Sequence, residues 1–226
     1  MTVLAPSFLR IELLSDTTFS RGESSAVADI EVERDRWGVP YIGGRTVRGL
    51  LRDSWLSMQD HFPQLHQAAR RVLGDSFALD DTCRLRIGDA VLPSRMLSVV
   101  RAAAQRSRNA LPAMAVLDGF STLRYQTAED RETGAPDETT LRSSRVVLRG
   151  FAFDAPLLWL DGYLPCQQDV QLLALCALAT RHGGLLRNRG RGHIRITLVG
   201  SLNYTRECVE KLKKQLIQDD KQEGTP

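Results

Sequence analysis

The sequence predicts an α+β fold with a β-α-β-β-α-β core, and three observations lead there. Short apolar runs with period-two alternation recur at residues 8–14, 83–92, 151–160 and 194–199. Two helical patterns stand between such runs. One starts at Gly44 and carries Val47, Leu50, Leu51, Trp55 and Met58 on one face; the other covers 169–181. Glycine-rich joints, Gly43-Gly44 and 183–192, mark where elements meet. This order fits an RRM or ferredoxin-like core carrying insertions.

In chain order, residues 8–14 form the first strand, and the polar stretch 15–25, with Arg21-Gly22, joins it to a second at 29–34. There Ile30 and Val32 alternate with Asp29, Glu31 and Glu33. Residues 35–38 read as a turn, and Pro40 holds Val39 in extended geometry. The Gly43-Gly44 pair then opens the first helix, with Thr46 in its first turn and Arg45, Arg48 and Arg52 along its polar side. A glycine pair at a helix start lets backbone N–H groups approach an anion, and arginines beside it add charge. The spacing of a nucleotide-binding P-loop is missing, so a phosphate backbone suits the site better.

A second helix is expected over 63–73, ended by Gly74-Asp75, and a basic helix over 94–110, with Arg95, Arg101, Arg106 and Arg108. That basic face reads equally as RNA-facing or as merely solvated. Residues 121–145 are polar and punctuated by glycine and proline between strand-like flanks, the pattern of a long projecting hairpin or loop. After the helix at 169–181, for which Asp169 is a plausible cap, comes the loop Gly183-Gly184-Leu185-Leu186-Arg187-Asn188-Arg189-Gly190-Arg191-Gly192-His193. Arginines interleaved with glycines bring guanidinium groups and bare backbone to phosphates together.

The bulk numbers exclude several classes. The chain has 226 residues, 42% hydrophobic and 25% charged, which suits one large domain or two small ones with a real core. Net charge is only +3. The only lysines are Lys211, Lys213, Lys214 and Lys221, so basic charge in the body is arginine, which reads equally as a residue that forks onto phosphate and stacks on bases or as the codon bias of a GC-rich genome. Cys83, Cys166, Cys176 and Cys208 are scattered without a C-x-x-C pair, which favours buried free thiols. His61 and His66 have no ligand-spaced partners. No signal peptide or membrane-length apolar run is present, so a cytoplasmic location is expected.

Several of these stretches resemble the RAMP superfamily, the RRM-like RNA-binding subunits of CRISPR effector complexes. Asp29, followed by Pro40-Tyr41-Ile42-x-Gly44-x-Thr46-x-x-Gly49-x-x-Arg52, is similar to the family's first signature. Gly43 stands where the family often has proline, and Arg45-Thr46 where it often has two serines. The Arg-Thr form, after residues 19–23, most resembles type III-D members. Leu85-Arg86-Ile87-Gly88-Asp89-Ala90 resembles the strand leaving the first helical region. Asp130-Arg131-Glu132-Thr133-Gly134 and Arg149-Gly150-Phe151-Ala152-Phe153 resemble the borders of the family's thumb hairpin, a wedge pressed against guide RNA. The loop at 183–192 is similar to the second signature.

The resemblance implies a single RRM-like domain over about 1–207, with an insertion near 61–118 and a thumb hairpin near 119–148; the charged tail at 208–226 lies outside it and reads as a short charged helix with a disordered end. It implies a guide-RNA-binding subunit of a type III complex, with target RNA and other effector subunits as partners. Expected RNA contacts are Arg21, Gly44, Arg45, Thr46, Arg48, Arg52, Arg131, Arg145, Arg187, Asn188, Arg189, Gly190, Arg191 and Gly192. In members that cut target RNA, an aspartate just before the second strand acts with a divalent metal, and Asp29 falls at that place. A carboxylate there would hold Mg²⁺ near a scissile phosphate or orient a 2′-OH, with Asp16, Glu23 and Glu31 nearby. In a non-cutting subunit Asp29 is a solvated strand-edge acid. Two other readings stand beside this one: a guide-processing endoribonuclease using one of His61, His66, His182 or His193 as general base, and a non-catalytic RNA-binding scaffold.

Overall fold

The computed structural model describes residues 5–20, 22–74, 82–127, 134, 140–187 and 189–223. Its centre is a four-stranded antiparallel sheet built from β1 (Phe8–Leu13), β2 (Leu85–Ile87), β5 (Ala152–Trp159) and β6 (Ile194–Leu198). The strand order is β2-β5-β1-β6. With helices α1 (Gly44–Leu56) and α5 (Gln167–Ala179) the chain runs β1-α1-β2-β5-α5-β6. That is the β-α-β-β-α-β connectivity expected from the sequence, with β1 and β5 central.

Alternation explains why these residues form the sheet. Leu9, Ile11 and Leu13 of β1, Phe153, Ala155 and Leu157 of β5, and Ile194, Ile196 and Leu198 of β6 are all buried. On the opposite face the register sets Arg10 beside Asp154 and Glu12 beside Arg195. Both pairs close as salt bridges, at 2.8 Å and 3.1 Å. This face carries charge pairs where an RRM uses exposed aromatic rings to stack bases, so it is not a stacking platform of that kind.

Helix α5 is held at its start by Asp169, which is fully buried. Asp169 lies one turn inside the helix, at N3, and its carboxylate reaches back to the Cys166 N–H at 2.9 Å. It is therefore the acidic half of a capping box, not the cap itself. Arg71 at 2.9 Å and the Tyr163 hydroxyl at 2.6 Å complete its shell. Burial, then the acceptor Asp169, push the Tyr163 phenol up to about 12.

Four expectations need correction. The stretch at 29–34 makes only isolated bridges, Ile30 with Ser144 and Arg34 with Pro40. Its backbone partners belong to different segments: Asp29 to Ser143, Glu31 to Glu23, Glu33 to Phe19. No ladder can propagate along it, and Glu31, expected at the surface, is 3% exposed. The basic stretch at 94–110 is shorter, α3 (Ser94–Ala104), and α4 (Ala113–Phe120) begins after Pro112. The second helical stretch opens with a short 3-10 turn at Pro63–Leu65 before α2 (His66–Leu73). Finally, the short helix expected in the charged tail is longer. Helix α6 (Leu202–Glu223) starts before it, buries Cys208 and Leu212, and packs along α5. Burying a leucine such as Leu212 contributes about 1.5–3 kcal/mol. Among the described residues, no helix is long and apolar enough to cross a membrane.

A two-stranded hairpin, β3 (Ser121–Gln126) with β4 (Arg142–Val147), stands apart from the sheet where the thumb was expected. It is tied down at its base, where Thr17 bridges Val147 and Ile30 bridges Ser144. The four cysteines are free; Cys176 and Cys208 are buried, Cys83 is half-buried and Cys166 is exposed.

Candidate nucleic-acid interface

The glycine pair at the start of α1 has two physical duties. A Cβ on Gly44 would come 2.3 Å from the Ile87 carbonyl oxygen and 2.8 Å from Gly88, so only glycine lets the helix start lie on β2. The freed amides are then occupied from within. Gly44 donates to Asp89 Oδ1 at 2.8 Å, and Gly43 donates to Glu33 Oε2 at 3.2 Å. Two carboxylates of the chain sit where a phosphate was expected, and they complement the helix dipole as a phosphate would. Gly44 is thus a packing and capping residue.

Arg48 is also engaged internally. Its Nε donates to the Leu73 carbonyl at 2.9 Å and its Nη2 lies 2.7 Å from Cys83 Sγ, which ties α1 to the end of α2. Arg45 is exposed, and Thr46 and Arg52 are half-buried. Arg45 and Arg52 form no salt bridge among the described residues.

Arg145 departs furthest from expectation. It is 3% exposed, and its guanidinium bonds Glu31 Oε2 at 3.0 Å, Asp118 Oδ1 at 2.7 Å and Ser121 Oγ at 3.2 Å. Glu31 is itself held by the Ser25 hydroxyl at 2.7 Å. This network fixes the hairpin base onto α4 and the 25–31 segment, so Arg145 is not presented to RNA. Arg21, Arg131 and Asn188, and residues 130–133 of the hairpin motif, lie outside the described residues.

Asp29 stands at the edge of that base. Its Oδ2 accepts from the Ser143 N–H at 2.6 Å and the Ser143 hydroxyl at 2.9 Å, while its own N–H donates back to Ser143 Oγ at 3.0 Å. The side chain is exposed, and no hydrogen bond to Oδ1 was found among the described residues. The Ser143 N–H, then its hydroxyl, hold the carboxyl below the usual range, with Arg142 adding attraction. A carboxylate so stabilised is a weak base at neutral pH and is suited to holding a cation or orienting a hydroxyl. Among the described residues no three His, Cys, Asp or Glu side chains gather as a metal cage. A single carboxylate with an outward oxygen still fits Mg²⁺, which keeps several waters and takes its other ligands from substrate phosphates.

Asp16, another expected neighbour, is committed elsewhere. It accepts from Arg124 at 2.7 Å and from the Arg149 N–H at 3.1 Å. Burial works to raise its pKa, and these two donors outweigh it, so the net shift is downward.

The glycine/arginine loop folds back onto this region. Leu185 bridges Thr18, and the Gly192 N–H donates to the Asp16 carbonyl at 3.1 Å. Gly184 and Gly192 have positive φ, and a Cβ on either would meet a backbone oxygen, Thr18 O at 2.5 Å or Gly183 O at 2.2 Å. Arg191 reaches Ser144 Oγ at 3.0 Å, next along β4 from the serine that holds Asp29. Arg187 makes a loose pair with Asp53 at 3.6 Å, both side chains largely exposed. Arg189 is exposed, and Gly190, at φ 74°, has open space around its Cα. Hence the structure gathers Asp29, the hairpin base and the Arg187–Arg191 loop. The α1 start it seals.

The sequence reading missed Ser143, Glu33 and Asp89. The signal for Asp89 was an acid in a Gly-Asp turn just after a strand. Ser143 and Ser144, two small hydroxyls inside a strand pattern, were the signal for the Asp29 contact.

A protein-family model described as the RAMP superfamily matches residues 10–195. Among solved structures, the chain is similar to one in the apo state of the type III-B Cmr-beta complex, at TM-score 0.61 and 13% identity, covering 86% of this chain and 97% of that one. It is similar also to a chain of type III-B Cmr-beta bound to cognate target RNA, at TM-score 0.62 and 12% identity, covering 92% and 100%. No curated protein sequence matches.

Proposed function

The chain belongs to the RAMP superfamily, and from that premise we propose that it is a guide-RNA-binding subunit of a type III CRISPR effector complex whose Asp29 acts on target RNA. The observation that carries this reading is that Asp29 and Arg191 bond neighbouring residues of β4, Ser143 and Ser144, at the base of the hairpin. The likeness to chains of Cmr-beta, one of them in a complex bound to target RNA, supports it.

In this reading the loop arginines hold phosphates and the hairpin sets the register of the RNA. Ser143 holds Asp29 through Oδ2, and a scissile phosphate would lie against this exposed carboxylate. A bound Mg²⁺, held by Asp29 and RNA phosphate, would supply charge neutralisation at that phosphate. The lowered pKa keeps Asp29 ionised at neutral pH.

The test uses the assembled complex with its guide, complementary labelled RNA and Mg²⁺. Asp29→Ala should remove one or more cuts at fixed spacing while target binding is kept. An unchanged cleavage ladder would leave the chain an RNA-holding scaffold.

A further inference from the structure

Where α5 gives way to the glycine/arginine loop, the two ends of that loop form a short ladder. Ile194 donates to the Arg181 carbonyl at 2.9 Å, and Gly183 donates to the Gly192 carbonyl at 2.8 Å. His182 sits opposite His193 in this ladder, and their rings stack with centroids 5.4 Å apart and planes inclined by 26°. Both histidines are exposed.

Beside the pair, a groove of 420 Å³ runs between the end of α5, the start of α6 and the edge strand β6. Arg181, His193, Arg195 and Arg206 line it, and among the described residues no acidic side chain does. Arg195 is tied to Glu12 at 3.1 Å, whereas Arg181 and Arg206 are exposed and form no salt bridge among the described residues. The floor also turns a donor outward. Ile194 and Leu198 aim their N–H groups away from β1, to Arg181 O and Thr205 Oγ1. Strand alternation gives Ile196, between them and in the groove lining, the same direction.

We propose that this groove binds a stretch of single-stranded RNA continuing from the Arg187–Arg191 loop, with phosphates on Arg181 and Arg206 and a base against the His182–His193 pair. It rests on the reading of that loop as an RNA surface. The loop and the groove share the ladder, so a strand leaving the loop arginines meets the histidine rings next. Unpaired guanidinium groups beside exposed aromatic faces are what single-stranded nucleic acid uses. An acidic peptide would use the arginines and leave the ring faces without a role.

The test measures binding of a labelled uridine 18-mer to the full chain across a salt series. Arg181→Glu with Arg206→Glu should weaken binding at least tenfold and make the log–log salt slope shallower by about 1.4, the loss of two phosphate contacts on a single strand. His193→Ala should weaken binding about fivefold with the slope unchanged, because it removes stacking and not charge. Wild-type affinity and slope in the groove variant, with binding lost in Arg189→Glu/Arg191→Glu, would overturn the groove and leave the loop's role intact. Wild-type binding in both double variants would overturn both. Polyglutamate binding lost in the groove variant, with RNA binding kept, would assign the groove to an acidic protein segment instead.

Discussion

Two glycine–arginine stretches look alike in the sequence and fold into opposite things. At Gly43-Gly44 the bare amides are capped by Glu33 and Asp89, and Arg48 is turned inward onto Leu73 and Cys83. At 183–192 the glycines bend the loop back onto Thr18 and Gly183, and Arg189 stays in solvent. Glycine at a helix start is equally good for admitting an anion or for letting another strand touch. What decides is whether the chain has a carboxylate to put there.

The difference is sharpest for buried charge. Arg145→Ala should cost about 3–5 kcal/mol in denaturant unfolding, because buried Glu31 would lose its close cation and keep only Arg34, at 3.9 Å. Arg189→Glu should leave the unfolding midpoint within about 0.5 kcal/mol of wild type, as expected of an exposed side chain. Equal effects of the two would break the distinction between a structural and a presented arginine.

The glycines follow in size. Gly44→Ala should cost about 1–3 kcal/mol, since the new Cβ meets rigid backbone of Ile87 and Gly88. Gly190→Ala meets nothing and should lose only about 1 kcal/mol from its positive φ. A reversed order would mean that the α1 start is not in contact with β2. Smaller still, Asp89→Asn should remove about 0.3–1 kcal/mol by withdrawing charge from the helix start.

Asp29 gives the finest test. Its folded-state pKa is lowered, so whatever stability its Ser143 contacts contribute is complete above the unfolded carboxyl value. That contribution is lost as pH falls through the lower folded value. A carboxyl-resolved NMR titration should put its midpoint below the ordinary aspartate value of about 3.9. Ser143→Ala removes only the hydroxyl and should move the midpoint part of the way up toward that value; an unmoved midpoint would exclude the hydroxyl and leave the Ser143 N–H as the cause.

Much of this was legible in the sequence. Alternation in Phe8–Leu13 and Ile194–Leu198 and the helical stripe of α1 are local signals, and they suffice for the core connectivity. The burial of Arg145 was not legible. Its partners Glu31 and Asp118 lie 114 and 27 residues away, and nothing local marks an arginine in a polar strand as internal. The same holds for the packing of α6, which read as a short charged helix outside the core because its narrow apolar stripe, Cys208 and Leu212, finds α5 only in the fold. The hairpin was read from its punctuation, its strand-like flanks and the resemblance to a thumb, and its anchoring through Thr17 and Ile30 is tertiary.

The most direct measurement is guide-RNA affinity of the full chain against salt, for wild type and Arg189→Glu/Arg191→Glu, with thermal midpoints taken in parallel. The loop account predicts at least a tenfold loss of affinity and a shallower salt slope, with the midpoint nearly unchanged. Wild-type affinity and slope in the double variant would contradict it.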